Sequence, residues 1–449
     1  MNAADIQKNN LRTFLIIWAS QVASILGSEM TNFAITIWAW NITGKATSLS
    51  LIILFTQIPR LIAALFAGIL VDRCDRKLLM VLGDTAAGIS TIAIFLLLTT
   101  NHLEIWHLYL IAAFSGLFGY FQHLAYSASI SALVAKQHYT RAAALCNHVG
   151  QFGSNIIAPG LAGALYYVVG LQGILTIDIA TFAIALCTIY FVQIPQPVVK
   201  QEPEQQKLWQ NLTFGWRYIL KNPSLRSLLI FLLIFNFIDY AISGIHASLI
   251  LSRSHNNTAV FASVQSAIGL GGVIGAVSLS VWGGFKRRIH GMLLGTVLSY
   301  GCMVVFGLGN FPATWMLAGF FTAVFWSSIG SSEQAIWLSK VPPEVQGRVF
   351  ASRYLITQLA APIGLAIAGP LADKVFQPAM LPGGMLASTF GGLFGNDYSS
   401  GIALQYTLFA FCGVLLGLSG YTWSRLRNIE FVIPDYEVNG CVTKNGSLK

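Results

Sequence analysis

The stretch Gly68-Ile-Leu-Val-Asp-Arg-Cys-Asp-Arg-Lys77 lies between two long apolar segments, 47–71 and 78–99. Its ten residues hold a glycine, two acids and three bases, in a chain where only 10% of residues are charged. So dense a cluster of charge between two apolar segments reads as a hinge at a membrane surface. The composition agrees: hydrophobic residues make up 55% of the 449, and mean hydropathy is +0.66. A soluble chain of this length cannot bury that much apolar surface, so the class is a polytopic membrane protein. A span needs about 20 mostly apolar residues. Twelve segments qualify: 13–40, 47–71, 78–99, 104–130, 141–168, 171–192, 225–250, 259–282, 290–309, 312–338, 347–372 and 403–424. Lipid offers backbone groups no water, so each span must be helical. The expected fold is all-α and integral to the membrane, with twelve helices in two six-helix halves.

Charge placement sets the orientation. With the N-terminus in the cytoplasm, 22 of the 26 Lys and Arg fall in cytoplasmic segments. Lys45, Arg253 and Lys374 fall outside, and Arg60 lies within span 2. The bias predicts both termini in the cytoplasm of a multi-pass plasma (inner) membrane protein. One wrongly placed span would scramble the alternation, so the count also supports the number twelve. The net charge of +9 thus reflects topology, and nucleic acid is not an expected partner. The six cysteines are scattered without paired spacing, which gives neither a disulfide framework nor a metal site. The polar first dozen residues run straight into a full-length span, so an uncleaved first helix is expected rather than a signal peptide.

The chain divides at 1–193, 194–224, 225–425 and 426–449. The second segment opens with the proline-rich, polar Ile194-Pro-Gln-Pro-Val-Val-Lys-Gln-Glu-Pro-Glu-Gln-Gln206, an exposed connection. After it, Leu208, Leu212, Trp216, Ile219 and Leu220 share one helical face, as in a helix lying on the cytoplasmic leaflet. The 225–425 segment repeats the hydropathy of 1–193. Arg287-Arg288 stand where Arg76-Lys77 stood, but Leu279 and Gly283 replace Gly68 and Asp72. Spans 5 and 11 both have an arginine at the start (Arg141, Arg348) and a mid-span proline with glycines (Pro159, Pro362). Weak internal symmetry of this kind marks duplicated transporter halves. The glycine- and serine-rich segment 375–402 reads as an irregular outside loop.

The hinge resembles the signature loop between helices 2 and 3 of the major facilitator superfamily, G-x-L-x-D-R-x-x-R-[RK]. Gly68, Leu70, Asp72, Arg73, Arg76 and Lys77 match it. The resemblance implies a cytoplasmic latch that stabilises the outward-facing state, with Asp72 against the N-terminus of span 11 near Gln346-Gly347. Bases alone would explain topology but not Gly68 with Asp72. Val341-Pro-Pro-Glu-Val-Gln-Gly-Arg-Val-Phe350 and the 208–226 segment are similar to the branch that holds enterobactin and macrolide exporters, and Arg348 is expected at the membrane surface. Two departures weaken a transferred proton mechanism. Ala158 precedes Pro159 where the antiporter motif has glycine, and Ser115-Gly-Leu-Phe-Gly-Tyr-Phe-Gln122 in span 4 has no arginine.

Ionisable groups inside spans cost energy and usually face a cavity. Glu29 lies midway along span 1, with Gln21, Asn32 and Thr36 on the same face; Asp239 lies midway along span 7, with Asn236, Ser243 and His246. Spans 1 and 7 are the first helices of their halves, so two acids occupy symmetry-related places. Both are candidates to bind protons, a cationic substrate, or each in turn; local structural hydrogen bonding is the bland alternative. Arg60, near Gln57 and Pro59, pairs with Glu29, meets an anionic group on a substrate, or snorkels to the interface. His246 is a candidate proton relay. Structural or capping roles are expected for Asp84, Asp178 and Glu333, and packing for Gly271-Gly-x-x-Gly275.

No G-x-x-x-x-G-K-[ST] sequence, nucleophile elbow or histidine metal motif occurs. The expectation is a non-enzymatic secondary exporter of an amphipathic small molecule (drug, siderophore or secondary metabolite), needing no cofactor beyond a proton gradient and working as a monomer. A lipid flippase or an importer of the same fold, or a non-transporting sensor or scaffold, are the rivals. In the sensor, Glu29 and Asp239 would be walled into packed protein.

Overall fold

The computed structural model describes residues 3–73, 75–133, 151–192 and 208–433, and for some stretches, 66–73 included, the backbone alone. The side chains of Gly68, Asp72, Arg73 and Arg76 therefore lie outside the described residues, as do 194–207. Among the described residues there is no strand. The first half comprises α1 (Ala3–Thr43), α2 (Ala46–Arg73), α3 (Arg76–Thr99), α4 (Ile105–Leu133) and α5 (Gln151–Phe191). A connecting helix α6 (Leu208–Lys221) leads to α7 (Pro223–Arg253), α8 (Thr258–Trp282), α9 (Arg288–Leu308) and α10 (Pro312–Lys340). Next come α11 (Pro343–Gln358), α12 (Ala360–Leu371), a π-helical turn Ala372–Phe376, α13 (Gln377–Met380), α14 (Ala387–Phe394) and α15 (Ser400–Thr422), then the short α16 (Ser424–Arg427) and α17 (Ile429–Val432).

Eleven of the described helices are long and apolar enough to cross a membrane, with Pro343–Met380 counting as one. Gly170 (φ 64°, ψ −170°) breaks α5, so α5 carries the fifth and sixth spans, and the described residues hold twelve. That backbone conformation is open essentially to glycine alone. Helix starts follow local chemistry. Asp75, one of the two hinge acids, caps α3 by accepting from the amides of Lys77 (2.7 Å) and Leu78 (3.3 Å). Prolines open α7, α10 and α11, where a missing N–H costs nothing.

Side chains sort by surroundings. Leu78, Leu82, Ile89, Ile92 and Leu96 leave α3 exposed along one side, the pattern of a face turned to lipid. Interior contacts use small residues. A Cβ on Gly271 would collide with the Phe320 carbonyl oxygen, and one on Gly275 would lie 2.7 Å from that of Val324, so α8 and α10 meet backbone to backbone. On α6 the expected apolar face divides. Ile219 is buried, and Gly215 backs onto Arg348 and Ser352 of α11, while Trp216 and Leu220 stay exposed.

The end of the bundle away from the termini, here the far end, joins the two halves. Trp40 Nε1 donates to Asn256 Oδ1 (2.7 Å), and the Thr258 amide donates to the Tyr167 hydroxyl (3.1 Å). Asp373, just past α12, accepts from the amides of Ala46 (3.0 Å) and Thr47 (2.8 Å) at the start of α2. The segment expected to be irregular over 375–402 is partly helical. It holds α13 and α14, and it lies across the far end, where Tyr398 donates to the Gly44 carbonyl (2.6 Å). Arg253 fastens it by donating to the carbonyls of Phe394 (3.2 Å), Gly307 (3.1 Å) and Gly309 (2.5 Å). Its many glycines hid this from pattern reading, because the helices are short and take their order from contacts with other segments.

Candidate functional site

Helix lengths fix the depth of the buried ionisable groups. Glu29 lies 14 residues from the far end of α1, Arg60 14 from the far end of α2, and Asp239 14 from the far end of α7. At about 1.5 Å per helical residue all three lie at about the same depth, near 21 Å. Two acids and a base from both halves thus share one level.

A central cavity of about 790 Å³ opens at that level, lined by Glu29 and Asn32 from one half and by Asp239, Gln265 and Trp326 from the other. Its walls run toward the termini as far as Ala276, Gly330 and Ser331. The rings of Phe33 and Phe261, one from each half, stack at 4.8 Å between centroids on its wall. A second lobe of about 380 Å³ shares Asp239, Phe261 and Gln265 with the first and adds Ser243 and His246. A third, of about 580 Å³, shares Glu29 and Asn32 and adds Gln57, Arg60, Tyr120 and His123. Mostly apolar walls with a few convergent polar groups are the usual make-up of a small-molecule site.

His246 lies in the second lobe with Nδ1 3.2 Å from the Tyr406 hydroxyl and with Gln265 as its other polar neighbour. In the third lobe the Arg60 guanidinium lies 5.7 Å from the centre of the Tyr120 ring. Asp178 borders the same lobe but is saturated by the hydroxyls of Thr91 (2.8 Å), Thr31 (3.0 Å) and Ser28 (3.2 Å).

Two residues expected in the cavity are elsewhere. Gln21 shares the polar stripe of Glu29, but its amide donates to Asp84 Oδ2 (2.9 Å) and its oxygen accepts from Gln122 (2.7 Å). One helical face spans more depth than one cavity, and Gln21 lies two turns below Glu29. Asn236 donates to the Leu232 carbonyl of its own helix (2.8 Å) and lines none of the three lobes. Glu333 makes a 3.4 Å ion pair with Arg353. Several cavity residues escaped the sequence reading, among them Gln265, Tyr120, His123 and Trp326. Gln265 and His123 carried a signal, as polar groups within apolar spans; Tyr120 and Trp326 did not.

Of the hinge, Lys77 is described. Its ammonium donates to the carbonyls of Val192 (2.7 Å) and Tyr190 (3.0 Å), which ties the start of α3 to the end of α5. The Arg348 guanidinium lies 5.4 Å from the ring of Phe214 and so holds α6 against α11.

A family model for the Major Facilitator Superfamily matches residues 17–365. The chain belongs to that superfamily. It is 27% identical over 375 residues to macrolide efflux protein A of Streptococcus pyogenes, covering 81% of this chain and 90% of that protein. The multidrug efflux pump Tap of Mycolicibacterium fortuitum is 23% identical over 374 residues (80% and 88% covered). The enterobactin exporter EntS of Shigella flexneri is 24% identical over 340 residues (75% and 79%). Among solved structures, the nucleoside transporter NupG (D323A mutant) superposes with a TM-score of 0.70 at 13% identity, covering 91% of this chain and 99% of that one. A bacterial homologue of the human lysosomal transporter Spinster, inward-facing and unoccupied, gives 0.68 at 12% identity (93% and 97%). These two share the fold. A member of this superfamily with a central cavity is a transporter of small molecules and not an enzyme.

Proposed function

We propose that the protein is a proton-coupled exporter of an amphipathic organic molecule. The observation that carries this is the pair Glu29 and Asp239, one from each half, at equal depth on the wall of one cavity. A carboxyl that takes up and releases a proton as the halves rock converts a proton gradient into substrate movement, and duplicated halves rocking about a midplane site are the usual means. The apolar and aromatic walls suit a substrate with a large hydrophobic body. The relatives named for macrolide, multidrug and enterobactin export support outward transport.

The excess of Lys and Arg at the terminal end supports a cytoplasmic location for both termini, in the inner membrane. In that orientation the far-end bonds close the outside, and the cavity extends toward the cytoplasm, as an exporter does when it loads. No nucleotide, metal or second subunit enters this cycle.

The test is dye and macrolide efflux from sealed, oriented vesicles under an imposed pH gradient. Glu29→Gln is expected to lower gradient-driven efflux at least about tenfold, or 1.4 kcal/mol in the barrier. Its melting temperature should stay that of the parent. Efflux that persists in the variant sinks the coupling role of Glu29.

A further inference from the structure

Arg60 is a half-buried base without an acid. It lies near the middle of a span, where a charge is expensive and normally meets a counter-charge. Among the described residues no carboxylate pairs with it, and its Nε is buried with no hydrogen-bond partner. Two acids border its lobe. Asp178 is occupied by three hydroxyls, and Glu29, though at the same depth, forms no ion pair with Arg60. The ring of Tyr120 lies 5.7 Å from the guanidinium carbon, and among the described residues none accepts a hydrogen bond from the guanidinium. Gln57 and His123 supply further polar atoms around the same 580 Å³ space. A planar fork with no hydrogen-bond partner, beside an aromatic ring and an empty volume, matches the two oxygens of a carboxylate or a similar anionic group.

We propose that Arg60 is an anion subsite, and that the transported molecule is an amphipath bearing at least one anionic oxygen group. This rests on the exporter reading and narrows its substrate class. A molecule that also carries an amine would place it against Glu29, which lines the same lobe. Zwitterionic and acidic amphipaths are then preferred over simple lipophilic cations.

The test uses two dyes with one skeleton, a free-acid rhodamine (a zwitterion) and its methyl ester, which keeps the cation and loses the anion. Binding to the purified, detergent-solubilised full chain is followed by fluorescence polarisation. The parent is expected to bind the free acid about tenfold more tightly than the ester. Arg60→Gln should erase that preference by weakening free-acid binding, its melting temperature reporting that it is folded; Arg60→Lys should restore part of it. Equal affinities in the parent, binding of neither dye, or a preference that survives Arg60→Gln overturns the subsite. The readout does not depend on coupling. Protein that shows the preference but exports neither dye from proton-loaded vesicles refutes the exporter reading and leaves the subsite standing.

Discussion

Asp84 joins three helices through two amides. Its carboxylate accepts from Gln21 of α1 (2.9 Å) and Gln122 of α4 (3.1 Å), and the two glutamines bond each other. Asp84→Ala leaves the Gln21 amide without its acceptor and takes one of two acceptors from the Gln122 amide, and is expected to cost about 1–3 kcal/mol. Thermal unfolding of the purified variant measures this, and Asp84→Asn, which keeps an acceptor oxygen, should lose less. Asp397, in the far-end segment, gives a pH prediction. Burial would raise its pKa, but hydroxyls donated by Ser400 and Ser399 and the charge of Arg253 outweigh burial and hold it below the ordinary carboxylate value. A folded pKa below the unfolded one gives stability that is complete above about pH 4 and is lost as pH falls through the folded pKa. Amide protection over 395–401 should therefore hold at neutral pH and fall in acid, and the acid step should vanish in Asp397→Asn.

At the level of elements, Gly170 is where one long helix becomes two spans. Its φ of 64° and ψ of −170° put any Cβ-bearing residue at a cost of about 1–3 kcal/mol. Gly170→Ala has open space around it, so that cost is backbone strain alone and should appear as a lower melting temperature without a change in dye affinity. The long helices were legible in the sequence because each is a full-length apolar run. The break at Gly170 was legible only as a gap between runs, since a single glycine gives no loop signature. The short helices α13 and α14 were not legible. Their order comes from Arg253 and Tyr398 contacts that join residues more than a hundred positions apart.

In the molecule as a whole, the halves meet where α2 starts and α12 ends. The Asp373 carboxylate caps the exposed amides at the start of α2, a negative charge at a helix N-terminus. Trp40 with Asn256 and Tyr167 with Thr258 complete the seal. Loosening it should shift the population toward a form open at the far end. A cysteine placed at Thr36, on the cavity wall, in a cysteine-free background, reads this out. Its labelling by a membrane-impermeant thiol reagent applied from the far end should rise several-fold on Asp373→Ala. Unchanged labelling would show that Asp373 does not hold the far end shut.

Residue order alone sets the number of spans, the two-part repeat and the midspan place of Glu29, Arg60 and Asp239. These follow from apolar run length and from the cost of charge in lipid, and both are local properties of the chain. Tertiary structure decided which polar groups share a space. Gln21 and Glu29 lie on one helical face, yet one is bonded into packed protein and the other lines a cavity. Periodicity gives the direction of a side chain about its helix axis, but what it meets there depends on how far the neighbouring helices stand apart at that depth.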